Sequence, residues 1–333
     1  MKAGLIGCGF MGTAHKNAYE ALRQGGANFE LVAICDIRAE QLVPLNNERL
    51  YTDLDEMLAK ETDLDFVSLC LPTFLHAEYA IKCMKVGLNV LCEKPMSLSY
   101  DDCQKMLECS RETGKRLMIG QVCRFSPERR VIKAFLEEGR FGKPVAAFFT
   151  SPDGAPTWGW GNWFADGKRS GGAMLDLQAH NIDLINWFFG MPKYTSTTAK
   201  QFNKDFTGYG TISSNMVYED GMFVHSYCDW GVENNKHLKR MVRINFESGY
   251  LYYNGGPNPE LVAVDVNGEI TDLSGLIERG KPALQREIEY FATCLKEGRP
   301  FNACPPEESA KVLKIMRAQE KSADACGAPV VIE

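Results

Sequence analysis

The chain has 333 residues, 45% hydrophobic and 24% charged, so it can bury a large core and is long enough for two domains of ordinary size. Its 43 acidic residues outnumber 37 basic ones, the net charge is -6 and no basic run is present, which excludes an electrostatic footprint for nucleic acid. No apolar run approaches the ~20 residues that span a bilayer, and Met1 to Gly12 lacks the basic flank and cleavage site of a signal peptide; a cytoplasmic protein with small-molecule partners is expected.

From the N-terminus, short apolar runs alternate with helical stretches, the pattern of a parallel sheet wound by helices. The runs are Lys2 to Ile6, Phe29 to Cys35, Asp65 to Leu71, Asn89 to Cys92 and Arg116 to Val122. Gly87 suits a left-handed helix cap, and Ser99 with Asp102 three residues on resembles a capping box. Ser126-Pro127 suits an N-cap and first helical position of a helix ending near Gly139. That helix leads out of a dinucleotide-binding domain at 1–123 into a substrate-binding and oligomerisation domain at 124–333. After about Gly142, candidate strands meet at hairpin turns. Asp220-Gly221 joins Asn215–Tyr218 to Met222–Asp229, and Asn267-Gly268 joins Leu261–Val266 to Glu269–Leu273. The fold class is therefore α/β, with a doubly wound parallel sheet first and a mostly antiparallel sheet second. Helices follow at Ala283 to Lys296 and Pro306 to Ala325, then a short run at Pro329 to Ile332. Twelve cysteines form no Cys-x-x-Cys pair and fall mostly within apolar patterns, so reduced core thiols are expected rather than metal or redox sites.

Gly7-Cys8-Gly9-Phe10-Met11-Gly12 leaves the first strand and enters a helix. Glycines there permit a tight turn and let backbone N–H groups approach a pyrophosphate, which the helix N-terminus also favours. The second strand ends at Asp36, where a carboxylate can accept hydrogen bonds from the adenosine ribose. The same turn can serve only to pack a helix on a strand, with Asp36 as a cap, but turn, helix and acid occur in the order a dinucleotide requires. Asp36 repels a 2′-phosphate, so NAD is expected over NADP. Arg38 offers the opposite, a partner for that phosphate or a surface for adenine, which keeps NADP open. Pro72 and Thr73, at the carboxyl end of a further strand, are expected to line the cofactor. His76, in the first turn of the next helix, is assigned to scaffold with a cofactor-side option.

Cys92-Glu93-Lys94-Pro95 ends another strand at the same edge. An exposed ion pair is the plainer reading of Glu93-Lys94, but the pair sits where a nicotinamide belongs, and Pro95 restricts the backbone beside Lys94. Lysine there can donate to a substrate oxygen and help carry its proton. These residues, with Arg124-Phe125 and Gly171-Gly172-x-x-x-Asp176-x-x-x-His180, make the chain resemble the Gfo/Idh/MocA oxidoreductase family, which includes glucose-fructose oxidoreductase and inositol 2-dehydrogenase. The resemblance covers nearly the whole length. It implies a Rossmann domain followed by an α/β domain whose open sheet often forms subunit contacts, hence a homodimer or homotetramer. It also implies Lys94, Asp176 and His180 as catalytic positions, Arg124 facing substrate or cofactor, and Gln121 near the nicotinamide.

The residues alone are less specific about the second constellation. Asp176 and His180 lie four apart in an apolar helical stretch, Met174 to Phe189, so both project from one face; such a pair is as often structural as catalytic. No third ligand stands at metal-site spacing, and no metal is expected. In the expected chemistry His180 accepts a hydroxyl proton, helped by Lys94, while hydride leaves to the nicotinamide and Asp176 orients the hydroxyl or imidazole. The segment Thr157 to Phe164 carries three of the five tryptophans, including Trp163, and suits a sugar face or, equally, a loop anchor or subunit interface. The family's substrates, sugars, inositols and related polyols, set the expected class. Ala173 stands where a third glycine is frequent in the family, narrowing the space beside the nicotinamide, and His225 and Tyr227 share a strand face that could look into the site. Two rivals stand beside the dehydrogenase: a glycosidase or lyase that keeps NAD and oxidises transiently, and a non-catalytic NAD-responsive binding protein.

Overall fold

The computed structural model describes residues 1–201, 204–231, 240–255 and 259–332. The chain packs as two compact units: Met1–Phe125 with Trp158–Trp163 and Lys281–Ala310, and Ser126–Thr157 with Phe164–Gly280 and Lys311–Glu333. The sequence boundary after residue 123 lies beside the first crossing, at Phe125, but two later segments rejoin the first unit.

In the first unit, β1 (Lys2–Ile6), β2 (Glu30–Cys35), β3 (Arg49–Tyr51), β4 (Phe66–Leu69), β5 (Asn89–Glu93) and β6 (Leu117–Gly120) form one sheet in the order β3-β2-β1-β4-β5-β6. Every neighbouring pair is parallel. The helices α1 (Phe10–Gln24), α2 (Leu54–Lys60), α3 (His76–Lys85) and α4 (Tyr100–Thr113) connect the strands. All four residues of β4 and of β6 are buried, as strands covered on both faces require. The strand order reverses between β1 and β4, and such a switch opens a ligand crevice at the carboxyl ends of the strands.

The returning segment supplies core to this unit. Phe291 and Ile288, on the helix Ala283–Lys296, are fully buried in a cluster with Ala3, Phe66, Leu91 and Met118. Phe291 meets Phe66 edge-on with centroids 5.3 Å apart and stacks on Phe301 at 5.2 Å. Arg116 lies over the Phe301 ring at 3.9 Å and donates to the Cys294 carbonyl, closing the end of the cluster.

In the second unit, α5 (Pro127–Glu138) starts from Ser126 with proline in its first turn and stops at Gly139, whose φ of 66° is left-handed. It leads to β7 (Pro144–Pro152), then to the short helices α6 (Gly167–Ser170) and α7 (Gly172–Leu175), and to α8 (Gln178–Phe189). β8 (Tyr194–Lys200), β9 (Thr211–Val217), β10 (Phe223–Asp229), β11 (Met241–Phe246), β12 (Gly249–Asn254), β13 (Glu260–Asp265) and β14 (Ile270–Asp272) follow. With β15 (Val330–Val331), the described residues form a nine-stranded sheet in the order β14-β13-β12-β11-β7-β10-β9-β8-β15. It is antiparallel except where β7 and β10 run parallel. Both expected hairpins are present, with Gly221 and Gly268 at φ of 86° and 82°.

Alternation gives this sheet two different faces. Val224, Ser226 and Cys228 of β10 are buried on the helix-covered face, whereas His225 and Tyr227 lie on the other, partly exposed face with Phe148, Arg243 and Tyr252. His225 and Tyr227 thus point away from α7 and α8, a correction to the sequence expectation. The strand alternates as expected, but β10 has the opposite phase.

Candidate functional site

The three glycines of the turn do different work. A Cβ on Gly7, at φ of 90°, would meet the Cys70 carbonyl oxygen at 2.5 Å, and one on Gly12 would meet the Gly7 oxygen at 1.9 Å. Those two permit close packing of α1 on the strands. At Gly9 a Cβ would meet nothing nearer than Arg38 Nη2 at 3.9 Å, so the turn is open where a ligand must approach. α1 begins at Phe10 with no side-chain cap, which leaves its first N–H groups directed at an incoming anion. Phe10 is 61% exposed.

Asp36 is buried and fully engaged. Its Oδ2 accepts from the Cys8 N–H at 2.7 Å and from Arg38 Nη2 at 3.2 Å; its Oδ1 accepts from the Arg38 N–H at 2.9 Å and Nε at 3.1 Å. The acid expected for the ribose therefore braces the glycine turn and carries its own counter-ion.

Pro72 and the buried Thr73 follow β4 at the crevice edge. His76 is buried, with Nδ1 2.8 Å from the Pro95 carbonyl oxygen and Nε2 2.8 Å from that of Leu71. A neutral imidazole donates from one nitrogen only, so one of these two carbonyls accepts its hydrogen bond, and the ring lies between the end of β4 and the segment after Lys94. Burial lowers its pKa below the ordinary 6.5, against the raising effect of the two carbonyls.

Glu93 ends β5 as a buried carboxylate. Its Oε1 lies 2.9 Å from His15 Nε2 on α1, and its Oε2 accepts from the Lys94 N–H at 3.2 Å. Burial alone would raise its pKa, but the hydrogen bond and charge of His15, with the charge of Lys94, outweigh this and hold it below the usual value. The Lys94-Pro95 peptide is cis. His15 escaped sequence reading because no motif marks it, although it sits one turn past Gly12 on the helix that packs over the strand ends.

Gln121 is buried and donates through Nε2 to Ser309 Oγ at 3.3 Å. Arg124, expected to face substrate or cofactor, is 1% exposed and donates to the Ala303 carbonyl at 3.3 Å. A guanidinium so deeply desolvated must be satisfied by the protein, and here it braces the returning segment.

In the second unit the helical stretch expected from Met174 to Phe189 is interrupted. α7 ends at Leu175, Asp176 and Leu177 form a turn, and α8 starts at Gln178. The His180 N–H donates to the Leu177 carbonyl at 3.3 Å rather than four residues back. Upstream of the break, Gly171 and Gly172 open α7 at positive φ, and a Cβ on Gly172 would meet the Tyr209 oxygen at 2.8 Å. Polar pins then set α8 against the sheet and against the helix Pro306–Asp324. Gln178 Nε2 donates to Gln319 Oε1 at 2.5 Å, Ser151 Oγ donates to Asn181 Oδ1 at 2.7 Å, and Asn181 Nδ2 donates to Ser226 Oγ at 3.1 Å. Asp176 and His180 stay partly buried on this pinned frame.

Trp163 is buried, while Trp158 and Trp160 are 53% and 42% exposed. Among the described residues, no cluster of three His, Cys, Asp or Glu side chains is arranged to hold a metal, and no helix is long and apolar enough to cross a membrane.

The strand order, the open Gly9 and the buried acid after β2 define the first unit as a dinucleotide-binding Rossmann domain. A family model described as an oxidoreductase family with an NAD-binding Rossmann fold matches residues 1–121, and a GFO/IDH/MocA C-terminal domain model matches 130–252. The chain belongs to the Gfo/Idh/MocA oxidoreductase family, and its first unit is an NAD-binding domain. It is 32% identical over 195 residues to a myo-inositol 2-dehydrogenase of Thermotoga maritima, covering 57% of this chain and 55% of that protein. It is 28% identical over 237 residues to a 2,7-anhydro-N-acetylneuraminate hydratase of Mediterraneibacter gnavus, covering 68% and 60% respectively. These matches thus take in little more than half of each relative. A levoglucosan dehydrogenase in complex with NADH and levoglucosan shares the fold, with a TM-score of 0.87 at 19% identity, over 100% of this chain and 99% of that one.

Proposed function

We propose that the protein is an NAD-dependent oxidoreductase acting on a secondary alcohol of a sugar, inositol or related polyol. The observation that carries this is Lys94 at the end of β5, next but one to β1 in the sheet, with its backbone N–H held by the His15-paired Glu93. The alignment with a myo-inositol dehydrogenase supports the substrate class.

When bound, the nicotinamide supplies the hydride acceptor or donor. The chain's own part is to hold the alcohol oxygen and move its proton. Lys94 donates a hydrogen bond to that oxygen, His180 takes the hydroxyl proton as the carbonyl forms and returns it in the reverse direction, and Asp176 orients the imidazole or the hydroxyl. An imidazole suits the task because its unperturbed pKa of ~6.5 lies close to working pH. Purified Lys94→Met and His180→Ala are each expected to lose about 100-fold or more in kcat on the best of a panel of polyols, aldoses and inositols, with NADH binding retained. Wild-type kcat in either variant removes that residue from the mechanism.

The match to a hydratase favours one second reading, in which the alcohol is oxidised only transiently. Product analysis by mass without accumulation of NADH would establish it over net dehydrogenation. A protein that binds NAD and turns over neither polyol nor glycoside would be the binding-protein rival. Asp36 supports NAD, with NADP admitted through Arg38. We also place the protein in the cytoplasm, a reading that twelve cysteines in the reduced state support, as a homodimer or homotetramer built through the open face of the large sheet.

A further inference from the structure

We propose that Trp158, packed on Phe10, is the arm of a strap that retains the dinucleotide. The two rings lie 4.5 Å apart at 30°, and Phe10 is the first helical residue of the turn that meets the diphosphate. Both belong to the first unit, to which the segment Trp158–Trp163 returns. Neither ring fills a core, since both remain more than half exposed. Single exposed aromatics are ordinary; a packed pair at the mouth of an anion-binding turn covers what lies beneath it.

The rest of the segment has the form of an anchored arm. Trp163 is 8% exposed and fixes one end. Gly161 and Asn162, at φ of 56° and 51°, reverse the chain, and the Asn162 N–H closes the turn on the Gly159 carbonyl at 2.9 Å. Only Gly and Asn adopt two consecutive left-handed positions at low cost, so the bend is set by sequence and Trp158 is its outer end. A dinucleotide on the Gly9 turn leaves after the two rings part. Retention of this kind keeps reduced cofactor on the protein between half-reactions. It deepens the proposed function through the cofactor site and holds whatever the alcohol is.

The test is release of bound NADH from the full-length protein, displaced by excess NAD in a stopped-flow fluorimeter without substrate. Trp158→Ala and Phe10→Ala are each expected to speed release roughly threefold to tenfold, the reach of one aromatic pair. The double variant is expected to match either single one, and Trp158→Phe to stay near wild type. Release less than threefold faster in Trp158→Ala, or single effects that multiply in the double variant, overturns the strap. So does a Trp158→Ala protein that melts like wild type yet binds no NADH, because the indole would then build the site rather than cover it. None of these outcomes touches the Lys94 and His180 assignments, which are read from turnover.

Discussion

Asp36 accepts four hydrogen bonds within the protein, and two come from Arg38 side-chain nitrogens. A carboxylate with its own guanidinium repels a 2′-phosphate less than a bare one does, so this residue pair sets cofactor choice together. Arg38→Ala is expected to weaken NADP binding about tenfold while changing NAD binding less than threefold, measured by titration calorimetry. His76 gives a second expectation. Its folded pKa is depressed by burial while the unfolded value stays near 6.5, so the unfolded chain binds more protons as pH falls. The stability it protects is full above that value and is lost as pH falls through the folded pKa. Denaturant melts between pH 7.5 and 5 should show this slope, and it should flatten in His76→Gln. At this scale the sequence was legible where a backbone requirement leaves a residue signature, as at Gly7 and Gly12. His15 and the buried setting of Arg124 left no such mark, because both depend on partners 78 and 179 positions away.

Elements were readable in proportion to their length and pattern. β1 and the helix Ala283–Lys296 fall where the apolar spacing puts them. β3 went unseen because it has three residues and buries one. The break at Asp176 was hidden by apolar spacing that stays helical across it. Gln178 and Asn181, polar residues in an apolar run, hold α8 through hydrogen bonds to the helix Pro306–Asp324 and to the sheet. Asn181→Leu removes three bonds, to Ser151, Ser226 and the Tyr227 carbonyl, and strands the two serines, so it should cost about 2–4 kcal/mol in chemical denaturation. If α8 frames His180, kcat should fall with it and KM for cofactor should not.

At the scale of the whole molecule, the open face of the nine-stranded sheet carries Phe148 beside Phe223, and Arg243 over Tyr250 at 4.1 Å. Apolar and aromatic surface rimmed by polar groups is the composition of a subunit interface. If the proposed homodimer or homotetramer forms through this face, Phe148→Asp should give a monomer in light scattering, leaving the melting of the NAD-binding unit unchanged. The chain also crosses between its compact units again and again, and the piece that returns latest, Lys281–Ala310, brings Phe291 against Phe66. A gene exchange that swaps only the first 125 codons for those of a cousin would therefore separate two halves of one hydrophobic cluster. Grafts in this lineage should succeed when the stretch near the far end of the gene travels with the front, so recombination is constrained by a partnership that spans more than two hundred codons.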